Sequence, residues 1–269
     1  MRRLRGYAVA CHTAPTVGVT LIMTAFAWSL GWRGGELALV ALTIVLGQLS
    51  VGWSNDAHDS RIDAHAGRTG KPTVASDVTP RGLWIGAFAT LVAAVALSWV
   101  VAGLVGGSFH VLALAMAWLY NLRLSRTVWS WLPYAVAFGC APLFLSLGLD
   151  GQAPPVWMVI AFALAAVSAH LANALPDLET DRAAGLGGLA VHLGTRRATQ
   201  LCWLLLALGT GVIAVATLPQ SPLVAVVLAV VFVGAALVSR RRAAGSTTFN
   251  GLLVIVAIDV ATIVLVPLI

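Results

Sequence analysis

The chain of 269 residues is 59% hydrophobic and only 10% charged, with a mean hydropathy of +0.93. Soluble domains carry about 25% charged residues, so this composition excludes a soluble protein and indicates that most of the chain lies in lipid. The net charge of +6 comes from bases between apolar stretches, which is typical of membrane topology and does not indicate a nucleic-acid partner. The length fits one compact bundle, so we expect residues 1–269 to form a single domain.

Apolar stretches of about 20 residues recur along the chain and are candidates for transmembrane helices. In chain order these nine stretches lie near Thr13–Trp32, Glu36–Trp53, Arg81–Ala102, Phe109–Leu122, Ser130–Leu149, Pro155–Ala172, Ala198–Leu218, Pro222–Ser239 and Thr247–Val266. In a bilayer only helices or closed barrels satisfy the backbone, and the alternating pattern of barrel strands is absent. The sequence therefore predicts an all-α integral membrane protein with nine transmembrane helices.

Basic residues are concentrated in alternate connections between these stretches. Of the 16 Lys and Arg residues, all but Arg33 lie in one set of connections, which begins with the N-terminus. By the positive-inside rule, the N-terminus and the long loops face the cytoplasm, and nine spans place the C-terminus outside. The chain is therefore expected to be a multi-pass protein of the cell membrane.

A first acidic cluster continues the second apolar stretch and reads Asn55-Asp56-Ala57-His58-Asp59-Ser60-Arg61-Ile62-Asp63. Asp56, Asp59 and Asp63 are three and four residues apart, so a helix places their carboxylates on one face. Carboxylates left unpaired there would repel one another. A positive group is therefore expected to share that face.

A second acidic cluster continues the sixth stretch and reads Asn173-Ala174-Leu175-Pro176-Asp177-Leu178-Glu179-Thr180-Asp181-Arg182. Asn173, Asp177 and Asp181 follow one another at four-residue steps and would form one stripe on a helix. Pro176 interrupts the backbone hydrogen bonds, so a kink or break is predicted there.

Carboxylate and amide oxygens at this spacing suit Mg²⁺, which binds carboxylates, water and phosphate oxygens, and do not suit zinc. Arg68 and Lys71 follow the first cluster, and Arg123 and Arg126 follow Tyr120. Arg and Lys side chains are common ligands of phosphate, so these four residues are candidates for binding it. One such cluster alone is equally well explained as a solvated helix end. Two similar clusters on the same side of the membrane favour a metal site.

The string Asn55-Asp56-x-x-Asp59-x-x-x-Asp63, with Arg68-x-x-Lys71-Pro72 after it, resembles the first motif of the UbiA superfamily of intramembrane prenyltransferases. The string Asn173-x-x-x-Asp177-x-Glu179-x-Asp181-x-x-x-Gly185 resembles the second aspartate-rich motif of that family. The resemblance covers essentially the whole chain. Two departures are Ser125, where many members have Lys, and Ala174, where naphthoate prenyltransferases often have Asn or Asp.

The resemblance implies a bundle of nine helices around a central cavity, with transfer of a prenyl group from a prenyl diphosphate to an aromatic or other lipophilic acceptor and release of diphosphate. It assigns the catalytic role to Asp56, Asp59, Asp63, Asp177 and Asp181. Two Mg²⁺ ions would be held by Asn55, Asp56, Asp59, Asp63, Asn173, Asp177 and Asp181. The diphosphate would be bound by Arg68, Lys71, Tyr120, Arg123 and Arg126.

Two alternatives to prenyl transfer remain open at this stage. One is a UbiA-type terpene cyclase, which would use the same prenyl diphosphate without an acceptor. The other is a secondary transporter, whose acids would couple ions, although such sites usually lie near the middle of the membrane. Asp259 lies inside the last apolar stretch and is expected to hydrogen-bond a neighbouring helix or, alternatively, to orient an acceptor.

Overall fold

The computed structural model describes residues 2–65, 67–75, 77–183, 185–219 and 221–241, together with positions 255, 258, 259 and 262. The regular elements in these residues are all helical, which confirms the predicted all-α class. The helices are α1 (Arg2–Ala10), α2 (Thr13–Leu30), α3 (Gly34–His65), α4 (Pro80–Leu119), α5 (Leu132–Asp150), α6 (Val156–Ala174), α7 (Leu178–Ala183), α8 (Leu189–Thr217) and α9 (Pro222–Arg241). A π-helical turn, Tyr120–Leu124, follows α4 directly.

Six helical segments of the described chain are long and apolar enough to cross a bilayer: Thr13–Leu30, Gly34–His65, Pro80–Leu124, Leu132–Asp150, Val156–Ala174 and Leu189–Thr217. Large apolar side chains such as Val100 and Leu104 are 73% and 77% exposed, which lipid tolerates and water does not. These helices support a multi-pass membrane protein. Most of the predicted ninth stretch, Thr247–Val266, lies outside the described residues, so the count of nine stays a prediction.

The third predicted stretch falls within α4 and the fourth within α4 and the π-helical turn after it, but the chain reverses direction inside α4. Gly103 has a φ of 64° and a ψ of −177°, a left-handed conformation that favours glycine and does not occur within a regular helix. The Ser98 Oγ and His110 Nδ1 atoms are 2.6 Å apart. Twelve residues of straight helix would separate them by about 18 Å. The element therefore consists of two antiparallel helices that meet at Gly103, as two separate stretches would require.

The chain divides into two compact units, of which the first contains Met1–Leu122 with Phe144–Gly151 and the second contains Arg123–Leu143 with Gln152–Ile269. In the first unit α3 packs against α4 and α2, and a small core of Ala10, Ala57, Val78 and Leu83 lies beside the first acidic cluster. In the second unit α6 and α7 pack against α8, around a core that includes Leu171, Leu178 and Leu206. Each unit carries one acidic cluster, and the single domain over 1–269 stays a prediction.

Cys11, Cys140 and Cys202 are free and buried. The expectation that Asp259 hydrogen-bonds a neighbouring helix is confirmed. Asp259 is buried and accepts a hydrogen bond of 2.7 Å from the Thr210 hydroxyl of α8. The intramembrane acid therefore contacts a neighbouring helix through a polar side chain, which lowers the cost of keeping it in lipid.

Candidate active site

The first acidic cluster occupies the last turns of α3, which is a helix of 32 residues. At a rise of 1.5 Å per residue this helix is about 48 Å long, whereas the hydrocarbon core of a bilayer is about 30 Å thick. The helix is thus long enough to cross the membrane and extend beyond it by several turns. The polar sequence from Asn55 to Asp63 forms that extension.

Asp56 and Asp63 are both buried, and a basic residue from the following loop pairs with each of them. The Lys71 ammonium donates to Asp56 Oδ1 at 2.6 Å, and the Arg68 guanidinium donates to Asp63 Oδ1 at 3.2 Å. Asp56 Oδ1 also lies 3.1 Å from His12 Nε2. The expected positive groups are therefore present, and they are two of the residues predicted to hold diphosphate.

The loop after α3 folds back toward the helix end, which places these bases. Gly67 has a φ of 64°, and the Arg68 amide donates to the Asp63 carbonyl at 3.0 Å, so the chain turns as soon as the helix ends. The Lys71 amide then donates to the Arg68 carbonyl at 3.0 Å, and Pro72 is buried. A compact turn thus brings Lys71 back to a carboxylate 15 residues earlier.

Asn55 is held by a residue that the sequence analysis did not select. Its amide nitrogen donates to Asn121 Oδ1 at 3.3 Å, and the buried Asn121 amide donates to the Val51 carbonyl and to Ser54 Oγ, both at 2.9 Å. Asn121 lies in the π-helical turn after α4, a geometry often found at functional sites. The Asn55 amide nitrogen is engaged in this bond, so the oxygen is the end of the amide that a metal ion could contact. A signal was present in the sequence, since Asn121 directly follows Tyr120.

Asp59 and Tyr120 belong to the same unit and are both half-buried. Asp59 lies between the two buried carboxylates along α3, and Tyr120 begins the π-helical turn that carries Asn121. The first unit therefore contains six predicted site residues on or beside the end of α3: Asn55, Asp56, Asp59, Asp63, Arg68 and Lys71.

In the second unit the helix breaks at Pro176, as predicted. α6 ends at Ala174, residues 175–177 form a turn, and the short helix α7 begins at Leu178. The Asp181 amide donates to the Asp177 carbonyl at 2.8 Å, so the step between these two residues is helical. Asn173 precedes the break, whereas Asp177 and Asp181 follow it. The predicted stripe of these three residues is therefore divided between two segments. Asn173 and Asp177 are exposed and Asp181 is half-buried, unlike the two buried carboxylates of the first cluster.

A buried serine connects the segments around the second cluster. Ser130 is fully buried, and its Oγ lies 3.0 Å from His170 Nε2 and accepts a hydrogen bond of 3.0 Å from the Leu189 amide. His170 is three residues before Asn173, and its ring stacks on Tyr134 with centroids 4.4 Å apart. Ser130 thus ties the end of α6 to the start of α8. This network could not be predicted from the sequence, because its members share no motif.

Gly187 fixes the loop between α7 and α8 against the segment that carries Arg126. A Cβ atom at Gly187 would overlap the Arg126 carbonyl oxygen, so the two backbones touch where no side chain fits. Arg126 is half-buried and Arg123 is exposed. These are two of the five predicted diphosphate ligands, and they lie in the second unit, where the backbone of Arg126 contacts the loop that follows the second cluster.

The oxygen donors of the first cluster fit a hard divalent cation. Within the described part of the chain, no three His, Cys, Asp or Glu side chains are grouped closely enough to bind a metal by themselves. Mg²⁺ does not require such a group, because water and phosphate oxygens usually complete its coordination. Asp63 Oδ2 is buried without a hydrogen-bond partner, an arrangement whose cost a bound cation would remove. The observed residues are thus compatible with Mg²⁺.

Comparison with known proteins agrees with this architecture. The UbiA prenyltransferase family model matches residues 15–250. A UbiA homologue from Archaeoglobus fulgidus bound to GPP and Mg²⁺ is 17% identical, with a TM-score of 0.72 over 96% of this chain and 98% of that chain. A structure of digeranylgeranylglyceryl phosphate synthase is 14% identical, with a TM-score of 0.73 and 98% coverage of both chains.

A third similar structure is the apo form of a UbiA homologue from Aeropyrum pernix K1, which is 20% identical with a TM-score of 0.72 over 91% of this chain and 97% of that chain. At these identities the structures show a shared fold. No curated protein sequence matches the chain. The family match, in contrast, spans both acidic clusters and most of the sequence, and the chain belongs to the UbiA prenyltransferase family.

Proposed function

We propose that this protein is a Mg²⁺-dependent intramembrane prenyltransferase that moves an isoprenoid group from a prenyl diphosphate to an aromatic or other lipophilic acceptor. The observation that carries the proposal is the pair of buried carboxylates, Asp56 and Asp63, joined to Lys71 and Arg68 at the end of a membrane-spanning helix. A relative of the same fold binds GPP and Mg²⁺, which supports the choice of substrate and metal.

In this proposal both acidic clusters serve one reaction. Two Mg²⁺ ions would be held by Asn55, Asp56, Asp59, Asp63, Asn173, Asp177 and Asp181. The diphosphate would be bound by Arg68, Lys71, Tyr120, Arg123 and Arg126. When bound, Mg²⁺ would neutralise the negative charge that develops on the diphosphate. Asp56, Asp59, Asp63, Asp177 and Asp181 are the residues whose loss should abolish the reaction.

The proposed chemistry is ionisation followed by capture. The bond between C1 of the prenyl chain and the diphosphate oxygen breaks, and its electron pair leaves with the diphosphate. The preorganised positive charges of Lys71 and Arg68 stabilise that leaving group. A nucleophilic atom of the acceptor then bonds to the allylic cation and releases a proton. Apolar surroundings keep water away from the cation, which would otherwise be hydrolysed.

Membership of a prenyltransferase family favours this enzyme over the transporter alternative. Transfer to an acceptor is favoured over cyclisation because one relative of the same fold is a synthase of a prenylated lipid, digeranylgeranylglyceryl phosphate. We also propose that the chain forms nine transmembrane helices around a central cavity, with the N-terminus and the acidic clusters cytoplasmic and the C-terminus outside. The distribution of basic residues supports this orientation.

The proposal is tested with the purified full chain in lipid nanodiscs, supplied with Mg²⁺ and prenyl diphosphates of several lengths. Diphosphate release should require a lipophilic acceptor and should fall by at least about 100-fold in Asp63→Asn, because that change removes a carboxylate that would hold the Mg²⁺ on which the leaving group depends. Glu36→Gln, an exposed acid in the first turn of the same helix, is the matched control. Products formed equally well without acceptor would instead identify a cyclase. Full activity of Asp63→Asn would refute the assignment of the site.

A further inference from the structure

His12 is a residue outside both acidic clusters whose side chain contacts the first one. It lies between α1 and α2, and its Nε2 is 3.1 Å from Asp56 Oδ1. The same oxygen accepts the hydrogen bond of 2.6 Å from Lys71 Nζ. His12 precedes the residues 15–250 that the family model matches, and it is 44 residues from Asp56 in sequence. The contact is thus a product of the tertiary fold.

The backbone of His12 has an unfavourable conformation. Its φ of 56° and ψ of 64° lie in the left-handed region, and no other non-glycine residue of the described chain has a positive φ. In this region the Cβ of an L-residue crowds the backbone. Such conformations persist where the surrounding structure enforces them, and they concentrate at functional sites.

Contacts on both sides of His12 enforce this conformation. The Cys11 backbone passes so close to α3 that a Cβ atom on Gly52 would be 2.6 Å from the Cys11 carbonyl oxygen. The same oxygen accepts a hydrogen bond of 2.6 Å from Thr16 Oγ1, and the Tyr7 carbonyl accepts one of 2.9 Å from Trp53 Nε1. The N-terminal segment is therefore fixed on α3 one turn before Asp56, and His12 cannot move away without disturbing these contacts.

The arrangement of donors on Asp56 suggests what His12 does. Lys71 and His12 both use Oδ1, so neither contact involves Oδ2. A bound diphosphate would attract the Lys71 ammonium, because Lys is a common phosphate ligand. Without His12, the departure of Lys71 would leave a buried carboxylate with no side-chain donor among the described residues to fix its orientation. With the hydrogen on Nε2, His12 can continue to hold Oδ1.

We infer that His12 is a positioning residue, which keeps the Asp56 carboxylate oriented for metal binding when Lys71 turns to the substrate diphosphate. This inference rests on the proposed function, since it requires that Asp56 be a metal ligand. It adds a part of the site that neither acidic cluster contains. Partners that orient a ligand in this way commonly change metal affinity by about 10–100-fold when they are removed.

The test is Mn²⁺ binding to the full chain in lipid nanodiscs, measured by electron paramagnetic resonance with and without inorganic diphosphate. In His12→Gly the Mn²⁺ dissociation constant should rise by about tenfold with diphosphate present, and by less without it, because Lys71 then stays on Asp56. The melting temperature should be unchanged or higher, since glycine accepts the left-handed backbone readily. His12→Asn, which also tolerates this backbone and keeps a donor, should recover part of the affinity.

The control variant is His65→Ala, which removes an exposed histidine whose Nδ1 lies 2.6 Å from the carbonyl oxygen of Arg61 in the same helix. Failure of the unmodified protein to bind Mn²⁺ at all would overturn the proposed function itself. Normal Mn²⁺ binding by both the unmodified protein and His12→Gly would overturn the inference alone. A parallel fall in metal affinity and melting temperature, of equal size with and without diphosphate, would show a structural role and would also overturn it.

Discussion

Replacement of Gly52 by alanine should displace the N-terminal segment from α3 and reduce both stability and activity. A Cβ atom at this position would be 2.6 Å from the Cys11 carbonyl oxygen and 2.8 Å from the Cys11 Cα, whereas ordinary contacts begin at 3.4 Å. The two backbones must therefore separate by about 0.8 Å. Both neighbours are backbone atoms of fixed segments, so a side-chain rotation cannot relieve the overlap. Overpacking of this kind costs about 1–3 kcal/mol.

The same displacement should affect the reaction because Cys11 adjoins His12, which contacts Asp56. A shift of about 1 Å in a catalytic arrangement can reduce the rate by about 100-fold. The shift in Gly52→Ala is smaller and acts indirectly, so we expect the rate of diphosphate release to fall by about tenfold. The assay is diphosphate release per unit time in nanodiscs, together with the melting temperature.

Gly18→Ala provides the matched control for this prediction. Gly18 lies inside α2, and a Cβ atom built on it meets nothing within 4 Å. Alanine there should leave activity unchanged and should stabilise the helix by up to about 1 kcal/mol. If Gly52→Ala were as stable and as active as Gly18→Ala, the close approach of the N-terminal segment to α3 would be refuted.

Two further predictions concern buried hydroxyl groups. Ser130→Ala should lower stability by about 1–3 kcal/mol and reduce activity, because the Leu189 amide and the His170 ring each lose a partner near the second cluster. Ser130→Thr keeps the hydroxyl and should lose less; equal melting temperatures for the unmodified protein and Ser130→Ala would contradict the network. Thr210→Val should also destabilise the fold by about 1–3 kcal/mol, because the buried Asp259 loses its donor. Thr210→Ser should retain most of the stability, and a valine variant that melts like the unmodified protein would show that Asp259 is satisfied elsewhere.

Several features of the fold could be predicted from local sequence alone. Apolar stretches predicted the membrane helices. Pro176 predicted the break between α6 and α7, because proline lacks an amide hydrogen and disrupts a helix whatever its tertiary surroundings. The chain reverses at Gly103, which lies between two predicted stretches. A glycine there can adopt the positive φ that the reversal requires. The spacing of Asp56, Asp59 and Asp63 along one helix was likewise a local property.

The partners of those acids could not be predicted in the same way. Lys71 was expected as a phosphate ligand, and the structure shows it donating to Asp56 through a turn that only the folded loop defines. Asn121 and His12 were not selected, because each acts through a contact with a residue far away in sequence. A histidine before a helix is common, and nothing in the neighbours of His12 distinguishes it, whereas the only local signal for Asn121 is that it directly follows Tyr120.

The sequence by itself determined that the chain is a helical membrane protein and which oxygen-bearing side chains it offers, because hydrophobicity and helical spacing are properties of consecutive residues. The tertiary structure alone decided which of these carboxylates are buried, which bases neutralise them and which remote side chains orient them. Those properties depend on contacts across 44 and 66 residues of chain, as between His12 and Asp56 or between Asn55 and Asn121. Such contacts form only when helices pack, and the packing places donors from separate segments on the same buried oxygen.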